Sequence, residues 1–196
     1  MKLDDKSIIN VALDFETLGV NSRAPIIQIG AVAFDNLALG ETFESPVAPD
    51  FTKRVADMST ICWWQDQDLE ARGVFKRKGY TQYKAVHKFS EWLAYLRTYP
   101  EDTFLTPSNG KKIRIFTWGH SDIIWLTTLF EDNGLSIEDY VPYRNLIDMR
   151  AVNQAFGINV EQARNAKPHD ALEDAKFLAH FTRKYFWHLH NEVYFQ

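Results

Sequence analysis

The sequence predicts an α/β fold, on three observations. A β-prone apolar run near the start, Ile8-Ile9-Asn10-Val11-Ala12-Leu13-Asp14-Phe15-Glu16-Thr17, is apolar on both faces, which suits the centre of a sheet. Two further strands follow over short connections, Ile26 to Phe34 and a weaker one near Thr42 to Val47, and read as an antiparallel meander. Beyond residue 80, helical and strand periodicities alternate.

The first strand is bounded by residues 8–16, and the turn-rich Gly19-Val20-Asn21-Ser22-Arg23-Ala24-Pro25 separates it from the second. Residues 48–80 resist assignment, with paired tryptophans beside polar amides in Cys62-Trp63-Trp64-Gln65. Tyr83 to Leu96 carries Val86, Phe89, Leu93 and Leu96 on one helical stripe. Pro100 to Gly110 reads as a loop and Lys112 to Gly119 as a fourth strand. A helix from about Asp122 to Asn133 stops at Gly134, a residue suited to a helix end. A fifth strand is expected from Tyr143 to Ile147, then a short helix ending by Gly157, and a last long helix from Asp170 to about Trp187. No repeat or linker interrupts residues 1–196, so one domain is expected.

Composition narrows the class. At 196 residues with 45% apolar side chains the chain has enough material for a packed core without disulfides. The single cysteine, Cys62, excludes an intramolecular disulfide and suits a reducing, cytosolic setting. No run of 18 apolar residues and no secretion signal is present, so no membrane partner is expected. The net charge of −4 does not advertise a nucleic-acid binder, but an acidic metal cluster lowers net charge while basic patches lie elsewhere.

The acids carry the chemistry. Asp14 and Glu16 are two apart on a strand, so both stand on one face, where burial and mutual repulsion are costly unless a cation or a proton intervenes. Asp122 shares the inward stripe of Trp125, Leu126 and Leu129, although an acid in a first helical turn is also favoured by the dipole alone. In Pro168-His169-Asp170-Ala171-Leu172-Glu173-Asp174, Asp170 and Glu173 have capping-box spacing and read as structural. Asp174 instead lies on the stripe of Ala171, Leu178, Phe181 and Tyr185, and His169 sits on the loop side of the helix start. Four inward carboxylates beside one histidine suit two hard divalent ions, which prefer oxygen ligands and can clamp a phosphodiester.

These residues resemble a known family. Asp14-Phe15-Glu16, Asp122 and His169-x4-Asp174 look like the three motifs of the DEDDh 3′→5′ exonucleases, in order and spacing over most of the chain. Ser59-Thr60-Ile61-Cys62-Trp63-Trp64 with Glu70-Ala71-Arg72 further resembles the phage exonuclease A branch and related bacterial exoribonucleases. The second motif departs from the commoner Asn-x-x-Phe-Asp form: Trp118-Gly119-His120-Ser121-Asp122 is closer to the Trp-Gly-x-x-Asp form of Eri-type exoribonucleases.

The resemblance implies a ribonuclease H-like fold, a mixed five-stranded sheet of order 3-2-1-4-5 flanked by helices. It implies that Asp14, Glu16, Asp122 and Asp174 bind two Mg²⁺ or Mn²⁺ ions. His169 would be the general base toward the attacking water, and nucleoside 5′-monophosphates would be released. The backbone at Thr17 and Leu18 would hold the terminal sugar, while Asp148 would be structural. Several members of the family are homodimers.

The substrate surface is read from the residues. From Ala71 to Ser90 there is no acid, while Arg72, Lys76, Arg77, Lys78, Lys84 and Lys88 are basic, a candidate track for a phosphate backbone or simply a solvated face. Trp63, Trp64 and Trp118 are candidates for base stacking, with at least one of the adjacent pair expected in the core. The expected partners are therefore single-stranded DNA or RNA 3′ ends, with DNA slightly favoured by the phage-like segment. Two rivals stand beside this reading. A haloacid dehalogenase-type phosphatase is superficially similar at Asp14-Phe15-Glu16-Thr17 but has no use for His169-x4-Asp174. A non-catalytic nucleic-acid-binding relative would be expected to lack one or more of the five groups, and all are present.

Overall fold

The structure is a computed structural model and describes residues 3–98, 111–157 and 169–192. The loop expected at 100–110 and the last four residues lie outside them. The first strand, β1 (Ile8–Thr17), pairs antiparallel with β2 (Ile26–Phe34), which pairs antiparallel with β3 (Leu39–Pro46). On its other side β1 runs parallel to β4 (Lys112–Thr117), and β4 parallel to β5 (Leu146–Asp148). The order β3-β2-β1-β4-β5 is the expected one, with β1 at the centre.

Alternation along β1 divides its side chains between two layers. Ile9, Val11, Leu13 and Phe15 enter one core, together with Val86, Phe89 and Leu93 of helix α2 (Gln82–Thr98) and Trp125, Leu126 and Leu129 of helix α3 (His120–Asp132). Ala12 enters the opposite core with Leu178, Phe181 and Tyr185 of the long helix α5 (Ala171–Glu192). Asp14 and Glu16 follow Ala12 in the same alternation, so they stand on the α5 face. Gly30 lies opposite Asp14 in β2, and a Cβ there would fall 2.1 Å from the Ala171 carbonyl carbon. Only glycine lets the start of α5 settle so close to the acids.

Several expectations need correction. Residues 48–80, left without assignment, contain helix α1 (Met58–Asp66) and a 3₁₀ segment, Ala71–Lys76. Helix α1 buries only Trp64, so it carries no apolar stripe to read. The fifth strand is Leu146–Asp148, and the expected part before it, Tyr143–Asn145, is a 3₁₀ turn entered from Pro142. The third strand begins earlier, at Leu39, and β4 ends at Thr117 instead of Gly119. Gly119 takes φ 150°, in a region that favours glycine, and starts α3 two residues before the expected Asp122. Asp148 caps the short helix α4 (Met149–Phe156), accepting from the backbone N–H groups of Arg150 and Ala151, a structural role as expected. Asp170 caps α5 through Leu172 N–H at 3.1 Å and Glu173 N–H at 3.3 Å, while the Glu173 carboxylate accepts from Lys176.

Candidate active site

The end of β1 and the start of α5 bring three carboxylates together. Asp14, Glu16 and Asp174 each offer an oxygen within 4.8 Å of the others. Glu16 is buried and the other two are partly exposed, so the cluster opens to solvent on one side. Burial raises the Asp14 carboxyl well above its usual range, and the charges of Asp122, Glu16, Asp174 and Asp170 add to the effect. Burial also raises Glu16, reinforced by Asp174, Asp122 and Asp170. Crowded carboxylate oxygens of this kind suit a hard divalent ion, and the donor set fits one.

Asp122, the fourth expected ligand, does not belong to that trio. It is buried in the first turn of α3, and burial raises it to about 7. Hydrogen bonds from the backbone of Phe15 and from its own backbone act in the opposite direction, as does the charge of Arg150. The Phe15 bond ties it to β1 between Asp14 and Glu16, and its charge is the largest of the neighbouring acids' effects on Asp14. Sequence reasoning missed Arg150. Its guanidinium donates to the Trp118 carbonyl at 2.8 Å and sits beneath the Gly119 turn. That contact spans 32 residues, and no local pattern signals it.

His169 is held in an unusual way. It is the one described residue other than glycine with positive φ, at 68°, and this turns its backbone N–H onto the Asp174 carboxylate at 2.9 Å. Such a conformation costs on the order of 1–3 kcal/mol in a residue with a side chain, and here it joins the expected base to an expected ligand. The imidazole meets the Trp63 ring edge-on, centroids 4.7 Å apart, with the Trp64 ring at 6.0 Å.

The tryptophans divide as their burial dictates. Trp64 is 3% exposed, and its indole N–H donates to the Thr17 carbonyl at 2.8 Å. It therefore props the end of β1, and the stacking expected of it does not fit a ring so enclosed. Trp63 is 42% exposed and open to a ligand. Trp118, also expected to stack bases, instead packs against Phe181 with centroids 4.8 Å apart. The backbone expected to hold a sugar is partly engaged already. Leu18 N–H donates to Pro25, its carbonyl accepts from Asp57, and its side chain lies in a small cluster with Ile27, Trp64 and Val74. Beside Glu16 and Thr17 a cleft of about 370 Å³ opens, with Val20, Trp63 and Trp125 on its walls. A larger hollow of about 600 Å³ lies between α3 and β5, away from the trio.

An acidic trio at the end of the central strand of a 3-2-1-4-5 sheet, with a histidine tied to one of its members, defines a DEDDh-type 3′→5′ exonuclease with a ribonuclease H-like fold. The chain belongs to the family described as the 3'-5' exoribonuclease Rv2179c-like domain, whose model matches residues 9–186. It is similar to an exodeoxyribonuclease of Enterobacteria phage T4, 35% identical in a 71-position alignment that covers 31% of this chain and 31% of the other. Among solved structures it resembles the nuclease domain of 3'hExo, a DEDDh family member bound to rAMP. That match has a TM-score of 0.61 and 15% identity, over 91% of this chain and 92% of the other. It also resembles E. coli ExoI in complex with single-stranded DNA, with a TM-score of 0.66 and 15% identity, over 94% of this chain and 41% of the other. Membership of the DEDDh exonucleases implies divalent metal ions. Among the described residues no helix is long and apolar enough to cross a membrane.

Proposed function

We propose that this chain, acting as one catalytic unit, removes nucleotides one at a time from single-stranded 3′ ends, RNA ahead of DNA. The observation that carries the reading is the convergence of Asp14, Glu16 and Asp174 within 4.8 Å, with His169 tied to Asp174. The leaning toward RNA departs from the sequence-based preference for DNA. The family named for exoribonucleases spans residues 9–186, whereas the phage exodeoxyribonuclease likeness rests on 71 residues. That shorter likeness is what keeps DNA as the second reading.

The residues that would hold Mg²⁺ or Mn²⁺ are Asp14, Glu16 and Asp174, with Asp122 completing the negative field from the first turn of α3. When bound, two such ions would neutralise the crowded carboxylates, activate a water and steady the leaving oxygen. His169 accepts the proton of the attacking water, its position fixed by the backbone bond to Asp174 and by the Trp63 edge. The bond from the terminal phosphorus to the 3′ oxygen of the preceding nucleotide breaks, and the terminal nucleotide leaves as a 5′-monophosphate. The cleft beside Glu16 receives that nucleotide, with Trp63 against the base and Thr17 near the sugar.

Matched 5′-labelled RNA and DNA oligomers, with free or phosphate-blocked 3′ ends, test this with Mg²⁺ or Mn²⁺. A ladder shortening by single nucleotides from free ends, faster on RNA and absent with Asp14→Asn, is the expected result. Internal cuts, or full activity in Asp14→Asn, would overturn it. Binding of strands without any product would restore the non-catalytic reading.

A further inference from the structure

We infer that a strand held at this site passes round the β3 edge to a cationic saddle made by Tyr80, Lys84 and Lys88 on the α2 face of the sheet, which grips its backbone beyond the reach of a dinucleotide. The inference rests on the exonuclease reading above and adds to it the surface that recognises strand length.

The distance follows from register. Glu16 pairs with Gln28 in β2, and Gln28 with Pro46 in β3, so the three lie in one row across the sheet. Tyr80 continues that row. Its N–H donates to the Pro46 carbonyl at 3.0 Å, its carbonyl accepts from Ala48 N–H at 2.7 Å, and it bridges to Val47 as an added parallel strand would. Three strand spacings of about 4.8 Å put the Tyr80 backbone about 14 Å from that of Glu16 along the sheet, while the Tyr80 ring packs against the α2-side core, on the face opposite Asp14 and Glu16. The path round the β3 edge to the saddle is longer than that, beyond the single internal phosphate of a dinucleotide and within reach of a longer strand.

The structure also sorts the six basic residues of this region. Arg77 is an anchor, because it pairs with Glu44 on β3 and, at 3.2 Å, with Asp170 beside His169. It thereby joins the segment leading to Tyr80 to the rim of the active site. Gly79 permits the crossing, since a Cβ there would come 2.4 Å from Ala48 N. Lys84 and Lys88 are different. Both are exposed, and their ammonium groups lie 4.8 and 4.5 Å from the centre of the same Tyr80 ring. Among the described residues neither has a carboxylate partner in an ion pair. The ring draws in two like charges one helical turn apart, and their repulsion is relieved when an anion settles over them. Lys78, also exposed, lies on the way. On a chain of net charge −4 this is a local positive field with nothing opposing it between Ala71 and Ser90.

The test compares wild type with Lys84→Ala/Lys88→Ala and with the charge-preserving Lys84→Arg/Lys88→Arg, on a dinucleotide and a 20-nucleotide strand over a salt series. The double alanine variant is expected to raise KM about tenfold more for the long strand than for the dinucleotide. Its salt slope should shrink by about 1.4, at about 0.7 per single-strand phosphate contact, and the arginine pair should restore both. An equal effect on both lengths, or an unchanged long-strand KM and slope, would overturn the saddle. Binding of a labelled 20-mer to Asp14→Asn, with and without the two alanines, reads the same surface without cleavage. A tenfold weaker Kd supports the saddle and an equal Kd overturns it, whereas absence of cleavage by wild type overturns the exonuclease reading alone.

Discussion

Asp14 and Glu16 stand on the central strand, locked by ladder pairing to β2 and propped from below by the Trp64 indole on Thr17. His169 stands at the rim, held by one backbone bond to Asp174 and by ring edges on α1. The floor of the site is therefore part of the sheet, while the rim is assembled from segments far apart in the chain. Changes to the floor should alter whether the site exists, and changes to the rim how well it turns over.

The largest effect is expected from Asp14→Asn, which removes one member of the trio. Activity should fall by at least about 10³-fold in a steady-state assay, since both charge neutralisation and positioning are lost. Rim chemistry is probed by His169→Ala, expected to lower kcat by about 10²–10⁴-fold with far less change in KM, as removal of a general base does. A fall in KM-controlled binding alone would place His169 outside the chemistry.

The floor should also be visible without substrate. Asp14 and Glu16 are raised above their ordinary range and Asp122 to about 7, so the folded chain keeps protons that the unfolded chain has released. The stability this contributes is full below the unfolded carboxyl range near pH 4 and is lost as pH rises through the folded values. In EDTA, the melting temperature should therefore decline between about pH 5 and 7.5. Asp122→Asn should flatten the decline, and Mn²⁺ should reverse it for wild type. Each 1 kcal/mol corresponds to about 2–4 °C for a chain of this size, which scanning calorimetry resolves.

The adjacent tryptophans sharpen the contrast between floor and rim. Trp64→Phe removes a buried donor from the Thr17 carbonyl and should cost about 1–3 kcal/mol in denaturant unfolding. Trp63→Phe, at the exposed partner, should stay within about 0.5 kcal/mol while lowering kcat modestly. Smallest of all, Arg77→Gln should change stability by less than about 1 kcal/mol, because its pairs with Glu44 and Asp170 are open to water.

The same contrast explains what was legible in the sequence. Asp14 and Glu16 announce themselves because strand period and apolar flanks are local, and Asp174 because its neighbours Leu178 and Phe181 share its stripe. The sheet order came through the family likeness and agrees with the pairing found. What stayed hidden depends on distant contacts. Trp64 finds Thr17 across 47 residues, and Arg77 finds Asp170 across 93. Helix α1 has no apolar stripe because it covers an edge of the site and not the core. The separation of Asp122 from the trio was equally unreadable, since a first-turn position fixes which way a side chain faces and not how far it reaches.

The 4.7 Å contact between Trp63 and His169 gives the rim an optical signature. An imidazole against an indole edge alters the emission of that indole, so subtracting the spectrum of Trp63→Phe from that of wild type isolates a signal from Trp63 and the rings that touch it, His169 at 4.7 Å and Trp64 at 5.1 Å. Its change on mixing with a strand would time the movement of the base relative to α1, with no label attached to protein or substrate.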